Sequence, residues 1–425
     1  MSIHYSEAQV AACKKFVHQY GYKWDKKTEP SDFGQTAQKA FYYTTVSTFH
    51  KFAENGCLWA SHIKRMNDWQ EFELGRQLVL DALIEFAENQ SSHASQETIE
   101  YIQEAIFEAK RIARPGGTNQ RFGYGRTYVD YWHPEVYNIS FTRESDLLSQ
   151  WKMYARESGV AIEFDFSRAS TFWQKAVHNE TDTMDFKQEN CIPRRVNYQV
   201  KQLKQQLECD LGQINKDPEL FAPRMIQLLE QIPFIKHSGF SQEGESRLIF
   251  RPHKRLESDD TITHSKVGYR EAGHLLIPYL EIYCGQPADP KADLAHSIGW
   301  PVVSVTVGPG HDQDVVFESL IHRLEYGKTQ FRPFTEEEKF LANKKFILEF
   351  IRQHIKQHPC LRDMDGKVHR LKDNSAKAQS ALEEIKEKLH TDQEFQKEYT
   401  AYCAGHYLCD SGLLIKKSQI PYIFT

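Results

Sequence analysis

The chain of 425 residues carries 53 Lys and Arg against 58 Asp and Glu, a formal net charge of −5, which excludes a nucleic-acid binder driven by whole-chain charge. Its 40% hydrophobic and 26% charged residues exclude a disordered chain and leave enough length for a sizeable globular core. No apolar run approaches the ~20 residues that span a bilayer, no basic-then-apolar leader opens the chain, and the eight cysteines show no disulfide spacing. The expected address is the cytoplasm, with no membrane partner.

Residues 1–35 read as a short helix and a charged connector. Phe41–Thr45 is aromatic and β-branched, the composition of a strand, and a helix from Val46 to Asn55 is expected to stop at Gly56, which tolerates a left-handed end. Amphipathic helices follow over Trp69–Asn89 and Glu97–Arg114, with Asn67 or Asp68 as N-cap of the first. Ile99, Ile102, Ile106 and Ala109 recur at helical spacing in the second. The loop Arg114–Arg126 sets three arginines among glycines, a composition suited to phosphate or to a nucleic acid, or simply a mobile surface loop. Strands are expected at Tyr137–Thr142, Ser246–Phe250, Tyr279–Cys284 and Pro301–Gly308. Val160–Phe166 alternates Val160, Ile162, Phe164 and Phe166 with Glu163 and Asp165, the period of a half-buried strand. Residues 335–400 are charged and helical. The organisation expected is an N-terminal helix and connector (1–35), an α+β core (36–334 with 401–425) and a helical insertion (335–400).

The sequence has no Gly-x-x-x-x-Gly-Lys-Ser/Thr, no dinucleotide glycine fingerprint after a strand, no His-Glu-x-x-His and no Gly-x-Ser-x-Gly. His354, His358 and Cys360, with Cys403, His406 and Cys409, could gather around zinc, yet their spacing matches no standard site and Pro359 disfavours helix at His358; no metal is assigned. The notable feature is acidic. Glu243 and Glu245 stand two apart at the start of a strand, so both face one side. Such a pair raises one of its own pKa values unless a cation such as Arg247 offsets it, and it suits a reaction with a developing positive centre. Solvated acids at a strand end are the alternative.

Ordered blocks then carry a resemblance: Phe41-Tyr42-Tyr43-Thr44-Thr45, Leu58-Trp59-Ala60-Ser61, Met66-Asn67-Asp68-Trp69-Gln70-Glu71-Phe72, Ile139-Ser140-Phe141-Thr142, Trp151, Tyr154-Ala155, Gly159–Ile162, Lys236-His237, Glu243/Glu245/Arg247, Val305–Pro309 and Ser418–Tyr422. The set resembles the bacterial family "domain of unknown function 2971", whose pattern is similar to the ADP-ribosyltransferase fold. That resemblance implies a split β-sheet that clamps NAD as substrate. Glu245 falls at the catalytic glutamate and Glu243 at the acceptor-side base. Tyr42 (where the fold's histidine is expected), Thr44, Ser140, Thr142 and Arg247 become the expected NAD contacts. The implied reaction breaks the nicotinamide–ribose bond and passes ADP-ribose to a protein, a nucleic acid or water, as in a toxin or antiphage effector. The alternatives are a non-catalytic binding or regulatory module that docks a partner or second copy through the insertion, and a nucleic-acid-processing enzyme built on the arginine loop.

Overall fold

The computed structural model describes residues 36–420 with gaps, the longer of which are 66–69, 91–94, 114–134, 199–204, 214–220, 257–261, 286–298 and 355–386. The readings placed on 1–35, on Asn67 and Asp68, on the arginine loop, and on His358 and Cys360 lie outside the described residues.

In chain order, β1 (Lys39–Thr44) leads into α1 (Val46–Asn55) and β2 (Cys57–His62). Helices α2 (Gln70–Gln90) and α3 (Gln96–Ala113) precede β3 (Tyr137–Phe141), β4 (Val160–Asp165), β5 (Phe172–His178), β6 (Thr181–Glu189) and β7 (Arg194–Arg195). After α4 (Phe221–Gln231) come β8 (Ser246–Phe250), β9 (Lys254–Leu256), β10 (Ile262–Ser265), β11 (Val267–Ala272), β12 (Leu275–Cys284) and β13 (Val302–Val307). Helices α5 (Gln313–Tyr326), α6 (Glu336–His354) and α7 (Gln393–Cys403) are followed by β14 (His406–Leu408) and β15 (Leu414–Lys417). The protein is α+β, as expected. Among the described residues no helix is long and apolar enough to cross a membrane.

These elements form two compact units. Among the described residues, the first takes 36–37, 59–140 and 173–282, and the second takes 38–58, 141–172 and 283–420. The core expected over 36–334 is thus shared between two units, and the insertion belongs to the second.

The second unit holds a five-stranded sheet in the order β1-β4-β13-β15-β14, with β13 and β15 parallel. Helix α1 starts and stops where the sequence predicts. The Thr45 hydroxyl accepts from Thr48 N–H at 3.2 Å. Gly56 ends the helix in the left-handed region at φ 63°, and a Cβ there would sit 2.8 Å from the side chain of Gln330, so glycine is required on both counts. Trp300 closes the core against Phe52, Phe164 and Phe172, with centroids 6.0, 5.5 and 5.4 Å away, and its indole N–H donates to Gly56 O at 2.9 Å. Asp146 accepts from Trp151 Nε1 at 2.7 Å, Ser418 Oγ at 2.6 Å and Gln419 N at 2.9 Å. Two segments distant in sequence, 146–151 and 418–419, thus meet at one carboxylate.

The half-buried reading of β4 does not hold. This strand lies between β1 and β13 and is buried on both faces. Glu163 can occupy an interior strand because it accepts a hydrogen bond from the Ser304 hydroxyl on β13. In the insertion, Phe346 and Phe350 pack on Tyr399 and Tyr402, so α6 and α7 form a pair joined by rings, and α7 runs past residue 400 to Cys403.

The first unit is built on a ten-stranded sheet. Its main path is β7-β8-β3-β2-β12-β5-β10-β9, with β11 on β12 and β6 on β5. Helices α2, α3 and α4 bury Phe72, Leu83, Ile102, Met225 and Leu229 in one cluster with Ile63, Val136 and Ile235 beside the strands. Trp59 of β2 stacks on Tyr279 of β12 at 4.2 Å and 17°. Replacing Trp300 by Ala should cost about 3–5 kcal/mol, the range for emptying a buried aromatic site; the midpoint of urea unfolding measures it, and an unchanged midpoint would contradict this account of the core.

Candidate functional site

Five charged side chains of the first unit share one small, nearly dry volume. Two come from the strand start: Glu245 immediately before β8, and Arg247 within it. Glu243 ends a short 3-10 turn, Ser238–Glu243, and Gly244 follows in the left-handed region at φ 54°. That corner swings both carboxylates toward a common cation, Lys236, which lies just upstream. Glu71 arrives from the first turn of α2, where a carboxylate is also favoured by the helix dipole.

The geometry is that of a closed network. Glu245 accepts from Arg247 Nε at 2.7 Å through Oε1, and from Arg247 Nη2 at 2.8 Å and Lys236 Nζ at 3.1 Å through Oε2. Arg247 also donates to a Glu71 carboxylate oxygen and, at 2.6 Å, to Pro233 O. Lys236 Nζ reaches Glu71 Oε1 at 2.9 Å and Glu243 Oε2 at 2.8 Å, and it sits 4.9 Å from the Phe240 ring centroid. The backbone N–H of Glu245 donates to the Tyr198 hydroxyl at 2.9 Å. Ser140 on β3 bonds Glu245 as well, and its own hydroxyl receives Asn138 Nδ2 at 3.0 Å. Glu71 and Glu245 are 6% and 7% exposed in their side chains, whereas Glu243 is 16% exposed. Glu243 is therefore the member nearest to solvent.

Three carboxylates against two cations leave the network one negative charge in excess. Burial penalises every charge in it, but not equally. For Glu245 burial is the largest influence and opposes ionisation, yet the charge and hydrogen bonds of Arg247, then Lys236 and Ser140, outweigh it and bring the carboxyl down to about 2. For Glu71 burial wins over Arg247 and Lys236, and its carboxyl is raised. Lys236 and Arg247 are both raised, because the carboxylates overcome their burial. Burial also pushes Tyr198 up to about 12. The arrangement thus favours the ionised form of Glu245 and, beside it, makes Glu71 take a proton more readily than an ordinary glutamate.

Of the residues singled out in the sequence, Ser140, Glu243, Glu245 and Arg247 come together here. Tyr42, Thr44 and Thr142 belong to the second unit. There Tyr42 pairs with Ile162 across β1 and β4 and packs on Phe141 at 6.0 Å, and Thr142 bridges the backbone of Phe41. Glu71 and Lys236 carry no role in the sequence reading beyond their place in family blocks, and Tyr198 is missed altogether. The nearest signal for Lys236 is a single base seven residues before Glu243. Among the described residues no group of three His, Cys, Asp or Glu side chains is placed to hold a metal ion; His406 instead stacks on Tyr402 at 4.0 Å, and Cys409 is buried.

Residues 150–248 match the model of a family described as "Protein of unknown function (DUF2971)". The match takes in Lys236, Glu243, Glu245 and Arg247 and ends inside β8. No significant match was found among curated proteins or among solved structures.

Removing the guanidinium in Arg247→Met leaves the buried Glu245 and Glu71 with Lys236 as the one cation of the network, and should cost about 3–5 kcal/mol in urea unfolding. The pH dependence has a definite sign. Because the folded pKa of Glu245 lies below its unfolded value of about 4.3, its contribution is complete above that value and is lost as pH falls toward about 2. Glu71, raised by burial, works against stability as pH climbs past the ordinary carboxylate range. Circular dichroism between pH 5 and pH 2 should show stability falling in the wild type, with a smaller fall in Arg247→Met.

Proposed function

We propose that this chain, a member of the DUF2971 family through residues 150–248, consumes NAD in the manner of an ADP-ribosyltransferase. It breaks the nicotinamide–ribose bond and passes ADP-ribose to a macromolecular acceptor or to water. The observation that carries this reading is the place of Glu245 at the head of β8, hydrogen-bonded to Ser140 of the neighbouring β3. Those are the positions that the resemblance gives to the catalytic glutamate and the middle-strand serine. Departure of nicotinamide builds positive charge on the ribose, and a fixed negative charge next to it stabilises the transition state without reorganisation. The network supplies that charge as the one negative unit that Lys236 and Arg247 leave over. Glu243, the most exposed of the three acids, is the residue that polarises the acceptor nucleophile. An ADP-ribosyltransferase-like core is part of this reading, as is a role as a toxin or antiphage effector, which rests on analogy of fold. The reading draws on the first unit alone.

One observation favours a second reading. Both oxygens of Glu245 are engaged by Arg247 and Lys236, as in a buried ion network kept for structure. A non-catalytic module docking a partner through the α6–α7 pair would need no more than that.

Nicotinamide release from NAD separates the two. The wild type should release it, and Glu245→Gln and Glu243→Gln should each lower the rate by about 100-fold or more, the scale of a lost transition-state contact. Thermal melts would show both variants folded. Glu243→Gln protects the test, since that side chain is the least buried of the acids. No release together with no NAD binding by calorimetry would discard the transferase and leave the docking module.

A further inference from the structure

The first unit contains a cavity of about 590 Å³, within the range of small-molecule sites. It lies away from the carboxylate network. His62 of β2 faces Tyr137 of β3 in register, as Ser61 faces Asn138. Strand alternation therefore puts His62 and Tyr137 on the opposite side of the sheet from Asn138 and Ser140. The cavity is lined by His62, Lys64, Arg65, Glu135, Tyr137 and Tyr269, the last on the β11–β12 hairpin opposite Pro278.

Its polar groups are arranged, not scattered. His62 Nδ1 accepts from Lys64 N–H at 3.2 Å, which puts the ring proton on Nε2, 3.6 Å from Glu135 Oε1. The His62 ring meets Tyr137 edge to face at 5.2 Å and 87°, and the Tyr137 hydroxyl hydrogen-bonds Glu135. Glu135 is thus a carboxylate fixed by two neighbours yet still 46% exposed in its side chain. Lys64 is paired with Glu73 at 3.1 Å. Arg65 is exposed and makes no ion pair among the described residues. Tyr269 is 65% exposed, and its ring packs on no other ring among them.

We propose that this cavity binds a phosphorylated nucleoside. The base stacks on Tyr269, a ribose hydroxyl or exocyclic amine donates to Glu135, and the phosphate takes the guanidinium fork of Arg65. The chemistry selects the class. A bare anion has no use for an exposed tyrosine and is repelled by Glu135. A nucleoside without phosphate leaves the arginine unused, whereas a mononucleotide engages all three groups at once. The proposal is independent of NAD cleavage at Glu245.

Calorimetry on the full chain tests it with AMP, GMP and UMP, and with adenosine and inorganic phosphate as partial ligands. At least one mononucleotide should bind saturably, and more tightly than either part. Arg65→Ala and Tyr269→Ala should each weaken it by about tenfold or more, the loss of a charge-assisted hydrogen bond or a stacking face. Both side chains are exposed, so neither change threatens the fold. Glu243→Gln should leave the affinity unaltered, which separates this cavity from the carboxylate network. Absence of binding by all three mononucleotides, affinity that both cavity variants leave unchanged, or inorganic phosphate binding as tightly as AMP would overturn the assignment.

Discussion

Arg247 has almost no water around it, and a guanidinium cannot escape burial by giving up its proton. It must be met by acceptors on every side. Glu245 takes two of its N–H groups, and Glu71 and Pro233 O take others. These partners come from the residue just before β8, from helix α2 and from the 3-10 turn Ile232–Phe234 that follows α4, so one side chain sets where three segments may lie. Lys236 repeats the arrangement from the other side of Glu245. The cost of stripping water from five charges is large, and only near-complete pairing makes the cluster tolerable. Its positions are therefore held more strictly than apolar packing would hold them. A group used for catalysis needs that restraint, because a carboxylate out of place by an ångström loses most of its effect on a transition state.

The second unit solves the equivalent problem with fewer charges. Asp146 gathers the Trp151 indole, the Ser418 hydroxyl and the Gln419 amide, and burial pushes the Tyr43 hydroxyl beside it well above the ordinary tyrosine range. Tyr43 donates that hydroxyl proton to Glu144 O and accepts from Leu147 N–H. The carboxylate thereby ties Ser418 and Gln419 to the turn after β3, and the phenol ties β1 to the same turn, while Trp300 fills the apolar interior.

Local rules were enough for much of this. The Thr45 cap and Gly56 stop of α1, the helices over 70–90 and 96–113, and the strand at Ser246–Phe250 all follow from propensity and period acting over a few residues. The pair Glu243 and Glu245 was legible for the same reason. What surrounds that pair was not. Glu71 lies 176 residues before Arg247, and Tyr198 stands alone in a stretch with no motif, so no spacing rule could bring them together. The alternation of β4 misled because a charged residue usually marks a solvent face; Glu163 escapes that rule through a hydroxyl on a strand formed far later in the chain. The division into two units was hidden too, since at four of its five crossings the chain passes from one to the other inside a strand (β2, β3, β5 and β12), where composition does not change.

That interleaving bears on how the protein is made. Neither unit is a continuous stretch, so neither is complete until most of the chain has left the ribosome. Strand β4 pairs with β1 early, but its other edge waits for β13, and β13 in turn waits for β15 beyond the insertion. During that interval an apolar strand presents unsatisfied N–H and C=O groups, the feature that lets nascent chains pair with one another. Contacts so distant in sequence also make for slow folding. The architecture therefore leaves a strand edge of the newborn chain open until β13 and β15 have been made, and the faster those residues follow, the shorter that exposure.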